Sequence, residues 1–153
     1  MSPRLLRWGM NLWPPYLGAG IRVRSIAPDW SEAVVELRDR WLNRNYVGTH
    51  FGGSLFAMTD PFFTLLLLHR LGGRYLVWDQ AARIDFVAPG RGTVSARFVV
   101  TEERVAAIRE QAAAGTKVLP EFEAEIRDRA GEVVASVHKT LYVRLKPRYR
   151  STT

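Results

Sequence analysis

Ser54-Leu55-Phe56-Ala57-Met58-Thr59-Asp60-Pro61-Phe62-Phe63-Thr64-Leu65-Leu66-Leu67-Leu68-His69-Arg70-Leu71 is the stretch that decides the fold. Apolar side chains fall on nearly every face of a helix drawn through it, and a helix that is apolar all round is a buried one. Gly72-Gly73 ends it. Pro61 removes one backbone donor from its interior, so a bend is expected near Ala57 to Asp60. The continuous apolar run, Pro61 to Leu68, is far short of the ~20 residues that span a bilayer. This helix therefore belongs in the core of a protein.

Strand patterns surround it. Residues 20–27 and 33–38 alternate apolar and polar side chains about the turn Pro28-Asp29 and read as an antiparallel pair. After the helix come strands over 75–87, 93–100, 122–127 and 133–145. A short helix starts at Thr101, a good N-cap, carries Glu102 and Glu103 at its positive end and is closed by Gly115. Asp128-Arg129-Ala130-Gly131 reads as a hairpin turn. The fold class is α+β: an antiparallel sheet of about six strands wrapped around a long central helix. Residues 1–153 form a single domain, with 1–19 as an irregular arm or lid that packs across it, since exposed tryptophans are costly, and 147–153 as a solvated basic tail. An open antiparallel sheet leaves two edges, and pairing of edges into a homodimer, or a dimer of dimers, is the expected remedy.

The 153 residues, 47% hydrophobic and 24% charged, suit one globular domain. The absence of cysteine excludes a disulfide framework, a thiolate metal site and a cysteine nucleophile, and it fits a cytoplasmic location. No signal peptide pattern is present. The net charge of +7 comes from 19 Arg against 3 Lys. Such an excess suits phosphate-bearing ligands, anionic membranes or nucleic acid, but the arginines are scattered and no nucleic-acid module is visible. Neither nucleic acid nor a membrane is expected as a partner, and no cofactor is expected. His69 and His138 lack metal-ligand spacing, and no phosphate loop or dinucleotide glycine motif occurs.

Two features carry chemistry. Asp60 is an acid in a nearly apolar helix. It is either part of a narrow polar stripe with Thr64, or a general base or nucleophile poised by an apolar wall. Gly52-Gly53 stands at the helix start, where unpaired amides meet the positive end of the dipole. The pair either permits a tight loop-to-helix turn or lets a ligand carbonyl approach an oxyanion-stabilising amide. Gly52 and Asp60 are eight residues apart, about two turns, which puts both on one face of an unbroken helix. Ser54 with His50 and Asp60 does not line up as a hydrolytic triad.

Asn45, then His50-Phe51-Gly52-Gly53 and Asp60, resembles the signature of hotdog-fold acyl-CoA thioesterases, above all the phenylacetate-pathway type. Ile84 to Gly92 resembles the strand and turn that follow it there. Trp13-Pro14-Pro15-Tyr16 and Arg44-Asn45-Tyr46-Val47-Gly48-Thr49 are similar to a less characterised branch of that superfamily, known as a domain of unknown function. The resemblance spans roughly residues 10–146. It implies a thioesterase-like hydrolase acting on acyl-CoA or a related thioester in a cleft shared between subunits, or a non-catalytic module binding such a ligand in the same cleft. Asp60 would be the catalytic carboxylate, Asn45 the polar residue lining the thioester site and the Gly53 amide the carbonyl-polarising donor, with Gly52 beside it. The family places His directly before the glycine pair; here Phe51 stands there and His50 is one residue back. Phe56, Phe62, Phe63 and Met58 would surround an apolar acyl pocket, with Gly52, His50 and Thr64 also expected to touch the substrate, and Arg91 is the first choice for the coenzyme phosphates, ahead of Arg44 and Arg83.

Overall fold

The computed structural model describes residues 1–150, so the last three residues of the expected 147–153 tail lie outside it. In chain order the elements are α1 (Pro3–Leu12), α2 (Pro14–Ala19), β1 (Ile21–Ile26), β2 (Glu32–Leu37), α3 (Gly52–Ala57), α4 (Phe62–Leu71), β3 (Tyr75–Phe86), β4 (Val94–Val99), α5 (Glu102–Ala112), β5 (Glu121–Arg127) and β6 (Val133–Leu145). Single 3-10 turns occur at Trp41–Asn43 and Pro147–Tyr149. The six strands form one antiparallel sheet in the order β1-β2-β4-β5-β6-β3. No helix is long and apolar enough to cross a membrane.

The strand positions match the sequence reading, and the inward residues of β2, β4, β5 and β6 make most of the sheet's share of the core, whereas β3 buries only Tyr75. β5 alternates strictly, with Phe122, Ala124 and Ile126 buried. β6 alternates over most of its length, with Val137, Leu141, Val143 and Leu145 inward. α4 lies on this surface through Phe62, Phe63, Leu66, Leu67 and Leu71. Its two phenylalanines stack with β4 and β5: Phe62 with Phe98 at 5.0 Å between ring centroids, Phe63 with Phe122 at 4.9 Å and edge-on to Phe98 at 5.2 Å. Each such pair contributes about 0.5–1.5 kcal/mol beyond burial of its area.

Three expectations need correction. The central helix is not one helix with a bend but two, interrupted over residues 58–61. Proline lacks an N–H and restricts the residue before it to extended conformations, which stops α3 short of Asp60. Local bonds satisfy the interruption. The Asp60 amide donates to the Ala57 carbonyl at 3.2 Å, the Thr59 hydroxyl to the Phe56 carbonyl at 2.7 Å, and the Leu65 amide to the Pro61 carbonyl at 2.9 Å, starting α4.

Residues 1–19 are helical rather than irregular. Pro3 and Pro14 occupy first-turn positions, where the missing N–H costs nothing, and the Ser2 hydroxyl caps α1. The described part of the tail is not a free extension either. Arg150 Nε donates to the Leu145 carbonyl at 2.9 Å, and the Arg74 guanidinium sits over the Tyr149 ring.

The two sheet edges are unequal. At β1 the Asn11 side chain bonds both backbone groups of Val23, donating to its carbonyl at 3.0 Å and accepting from its amide at 2.8 Å. Arg7 donates to the Arg24 carbonyl beside it. α1 thus caps that edge. β3 pairs with β6 along its length, and nothing among the described residues pairs with its other side.

Leu67 is completely buried under the sheet. Leu67→Ala is expected to cost about 2–5 kcal/mol, as deletion of a core leucine does, read as a lower urea midpoint with an unchanged slope.

Candidate functional site

The loop before α3 is built by one side chain. Asn45 Nδ2 donates to Thr49 Oγ1 at 2.8 Å and to the His50 carbonyl at 3.2 Å, while Oδ1 accepts from the amides of Val47 and Thr49 at 3.1 and 3.0 Å. Both donors and both acceptor positions of its amide are thereby occupied. Asn45 shapes the loop and borders the cleft, but it offers no free polar atom to a ligand. Asn43 does similar work one step earlier, bonding the carbonyls of Ala19 and Arg38 and the amide of Arg40.

The loop is tied to the segment after β3. The His50 amide donates to the Gly90 carbonyl at 2.9 Å, and His50 Nε2 lies 2.6 Å from the Gly92 carbonyl. A carbonyl only accepts, so Nε2 donates in this contact. Nδ1 is buried and has no partner. Gly90 suits the close packing here: a Cβ would stand 3.2 Å from the imidazole and 3.0 Å from a Val134 methyl, so those side chains would have to give by a few tenths of an ångström. Asp39 holds the far side, accepting from Arg44 at 2.7 Å and from the Gly92 amide at 3.1 Å. The Arg44 bond above all, with help from the Gly92 amide and against partial burial, keeps its carboxyl below the usual carboxylate range.

Between loop, α3 start and the end of β3 lies a cleft of about 470 Å³. Asn45, His50, Gly52 and Arg91 border its polar side and Leu55, Phe86 and Val87 its apolar side. A Cβ on Gly52 would stand 2.9 Å from the tip of the exposed Phe86 ring, so the glycine leaves room for that ring over the helix start. Phe51, in the N-cap position, makes no side-chain capping bond; its carbonyl takes the Ser54 and Leu55 amides, which leaves the Gly52 and Gly53 amides without an intrahelical or side-chain acceptor. Gly53 sits in this first turn but does not border the cleft. Arg91 donates to the Gly48 carbonyl at 3.2 Å, pinning the loop tip.

Asp60 is elsewhere. The interruption at Pro61 removes the shared helix face expected for Gly52 and Asp60, and Asp60 does not border the cleft. Nor is it enclosed by apolar groups: its side chain is 60% exposed. It pairs with Lys139 Nζ at 3.0 Å, and the same ammonium reaches Asp79 at 3.3 Å. Lys139 is itself only 4% exposed and lies 5.9 Å from the centre of the Phe56 ring. Phe56 is thus half-buried beneath the ion cluster. The Tyr16 hydroxyl donates to the Asp60 carbonyl. Burial first, and then the Asp60 charge, push this phenol well above its ordinary value, so it remains a donor. Thr64, one turn into α4, keeps a buried hydroxyl without a partner; it does not share a polar stripe with Asp60 on one helix.

Lys139 and Asp79 are the residues that sequence reasoning missed. A signal existed for the lysine. It occupies an inward position of β6 between Val137 and Leu141, where the alternation calls for an apolar side chain. Asp79, by contrast, sits at a register shift of β3, where alternation is locally lost.

Comparison with solved structures places the fold. A probable thioesterase of otherwise unknown function from Pseudomonas aeruginosa superposes with a TM-score of 0.85 at 20% identity, over 95% of this chain and 97% of that one. A thioesterase from Haemophilus influenzae gives 0.68 at 13% identity, over 95% and 92%. A variant of the phenylacetic acid degradation protein PaaI from Thermus thermophilus gives 0.60 at 28% identity, over 87% and 100%. The architecture is therefore the hotdog fold of thioesterase-like proteins. No curated protein sequence matches the chain. A sequence-family model does, over residues 3–143, nearly the whole length, and the chain belongs to that family, the domain of unknown function DUF4442.

Proposed function

We propose that this protein is a thioesterase-like hydrolase of an acyl-CoA or related thioester, working as a homodimer whose cleft is completed across the subunit boundary. The observation that carries the reading is the 470 Å³ cleft, mostly apolar with a polar minority of its lining, at the junction of α3 with the unpaired β3 edge. Its apolar side, with Phe86 and Val87 exposed at the strand end, suits an acyl chain. Arg91 at its rim suits a phosphate. The α3 amides supply donors for a polarised carbonyl.

One protomer holds Asp60 away from its own cleft, exposed beside β3 and β6. Pairing of two β3 edges presents this carboxylate to the partner's cleft. There Asp60 takes a proton from water as the oxygen attacks the carbonyl carbon. The C–S bond then breaks, and the proton passes to the departing sulfur, leaving a carboxylic acid and a thiol. Lys139 and Asp79 hold the carboxylate in place.

A second reading is a binding module for the same ligands without turnover. Two observations favour it: Asp60 is already engaged by Lys139, and the amide of Asn45 has no free valence.

Asp60→Asn separates the readings. Hydrolysis of a panel of acyl-CoAs is expected to fall by at least about 100-fold, the scale of a lost general base, while acyl-CoA binding persists. An unchanged rate, or a wild-type protein that binds without turnover, sinks the hydrolase. The shared cleft has its own test. Co-expression of Asp60→Asn with Gly52→Val, each inactive alone, is expected to restore about a quarter of wild-type activity, because half the dimers are mixed and each keeps one intact site.

The ion cluster predicts an asymmetry in stability. Lys139→Met is expected to cost less than about 1 kcal/mol, since both carboxylates keep access to water. Asp60→Ala with Asp79→Ala strands a buried ammonium and is expected to cost about 3–5 kcal/mol. Urea midpoints of the two variants check it.

A further inference from the structure

The outer face of the N-terminal helix pair has no partner in the protomer. Leu6 and Met10 of α1 pack on the core and Asn11 on β1. Leu5, Trp8 and Leu12, spaced i, i+3 and i+7, fall together on the opposite side. Trp13 and Leu17 of the α2 segment extend the ridge, and all five are exposed, Trp8 at 63% and Trp13 at 51%. Exposed tryptophans are expected to be costly, yet both are more than half exposed here.

The ridge has a basic border. A cleft of about 220 Å³ beside it is walled by Arg7, Arg22, Arg38 and Arg40 together with Trp8 and Leu12. Arg4 lies one turn before Trp8 on the same face. Among the described residues Arg4, Arg7, Arg22 and Arg40 make no ion pair with any carboxylate, and Arg38 has only a loose one with Glu36 at 3.7 Å.

We propose that this face docks on an anionic phospholipid bilayer, with the Trp8–Leu12 ridge in the headgroup–acyl boundary and the arginines on the lipid phosphates. Tryptophan carries an apolar body with a polar tip and sits well at that depth. Guanidinium binds phosphate in bidentate fashion, and anionic leaflets attract basic groups near the surface. Charge argues against the other occupants. A second copy would bring two unpaired arginine sets together in a chain of net charge +7. Nucleic acid would satisfy the arginines and leave Leu5, Leu12 and Leu17 in water. Attachment is peripheral, since no helix can span, and the inference stands apart from the hydrolase reading.

The full chain is titrated with phosphatidylglycerol–phosphatidylcholine vesicles and with pure phosphatidylcholine vesicles, reading co-sedimentation and tryptophan emission. Binding is expected on the anionic vesicles alone, with a blue-shifted emission and an affinity that falls as salt rises. Arg22→Gln with Arg40→Gln is expected to weaken it by about fivefold per arginine. Trp8→Ser with Leu12→Ser is expected to weaken it by at least about tenfold. Arg104→Gln with Arg109→Gln on α5 removes equal charge and is expected to leave binding within about twofold. Circular dichroism verifies that each variant is folded. Equal binding to both vesicle types, or to neither, overturns the proposal. So does an equal loss from the α5 pair, which would mean charge alone. Dissociation of an oligomer by Trp8→Ser with Leu12→Ser, seen in sedimentation velocity, overturns it in favour of a self-interface.

Discussion

A proline without an N–H governs the geometry of this protein. Pro61 cannot continue the hydrogen-bond ladder of α3, and it disfavours for Asp60 the helical conformation that would carry the chain through. The break separates two jobs that an unbroken helix would have joined. α4 is free to settle its phenylalanines and leucines into the sheet. α3 is short, with its glycine start against the loop of residues 44–51 and the end of β3. Asp60, at the break, leaves the helix axis and meets Lys139 on the sheet.

The ion cluster shows how a lysine survives in a hydrophobic layer. Lys139 occupies a core position of β6, and an ammonium there without compensation would be expensive. Asp79 comes from the adjacent strand and Asp60 from the helix break, so two elements that meet only in the folded state supply the counter-charge. The cluster therefore couples the place where the helix breaks to the sheet. Its exposed members keep their hydration, which lowers the cost of charge at this depth.

The unequal sheet edges have a comparable logic. Free edges invite association. α1 covers β1 through the Asn11 amide, which imitates a neighbouring strand for one residue pair. β3, the longer of the two edges, stays open beside the cleft. A helix that caps an edge with its inner face must show its outer face to something. That outer face is apolar and bordered by arginine.

What the chain's sequence determined by itself was everything that rests on short-range period. The strands followed from alternation, the buried helix from its all-round apolarity, the α5 start from Thr101 and the sheet-around-helix class from their order. The loop carrying His50 and Gly52, which borders the cleft, was legible because a motif is local. The resemblance that ordered them carried the fold correctly. Tertiary structure decided the rest, because it concerns groups far apart in the chain. The arm was misjudged since prolines that break a helix interior are harmless in its first turn, and two of them began helices here. Asn45 was assigned to the thioester site by resemblance, and a motif match cannot tell a free amide from one whose valences are taken by its own loop. Asp60 looked enclosed because its chain neighbours are apolar, whereas its neighbours in space are Lys139, 79 residues away, and water. The environment of a charge is set by what the fold brings to it, and sequence distance carries no record of that.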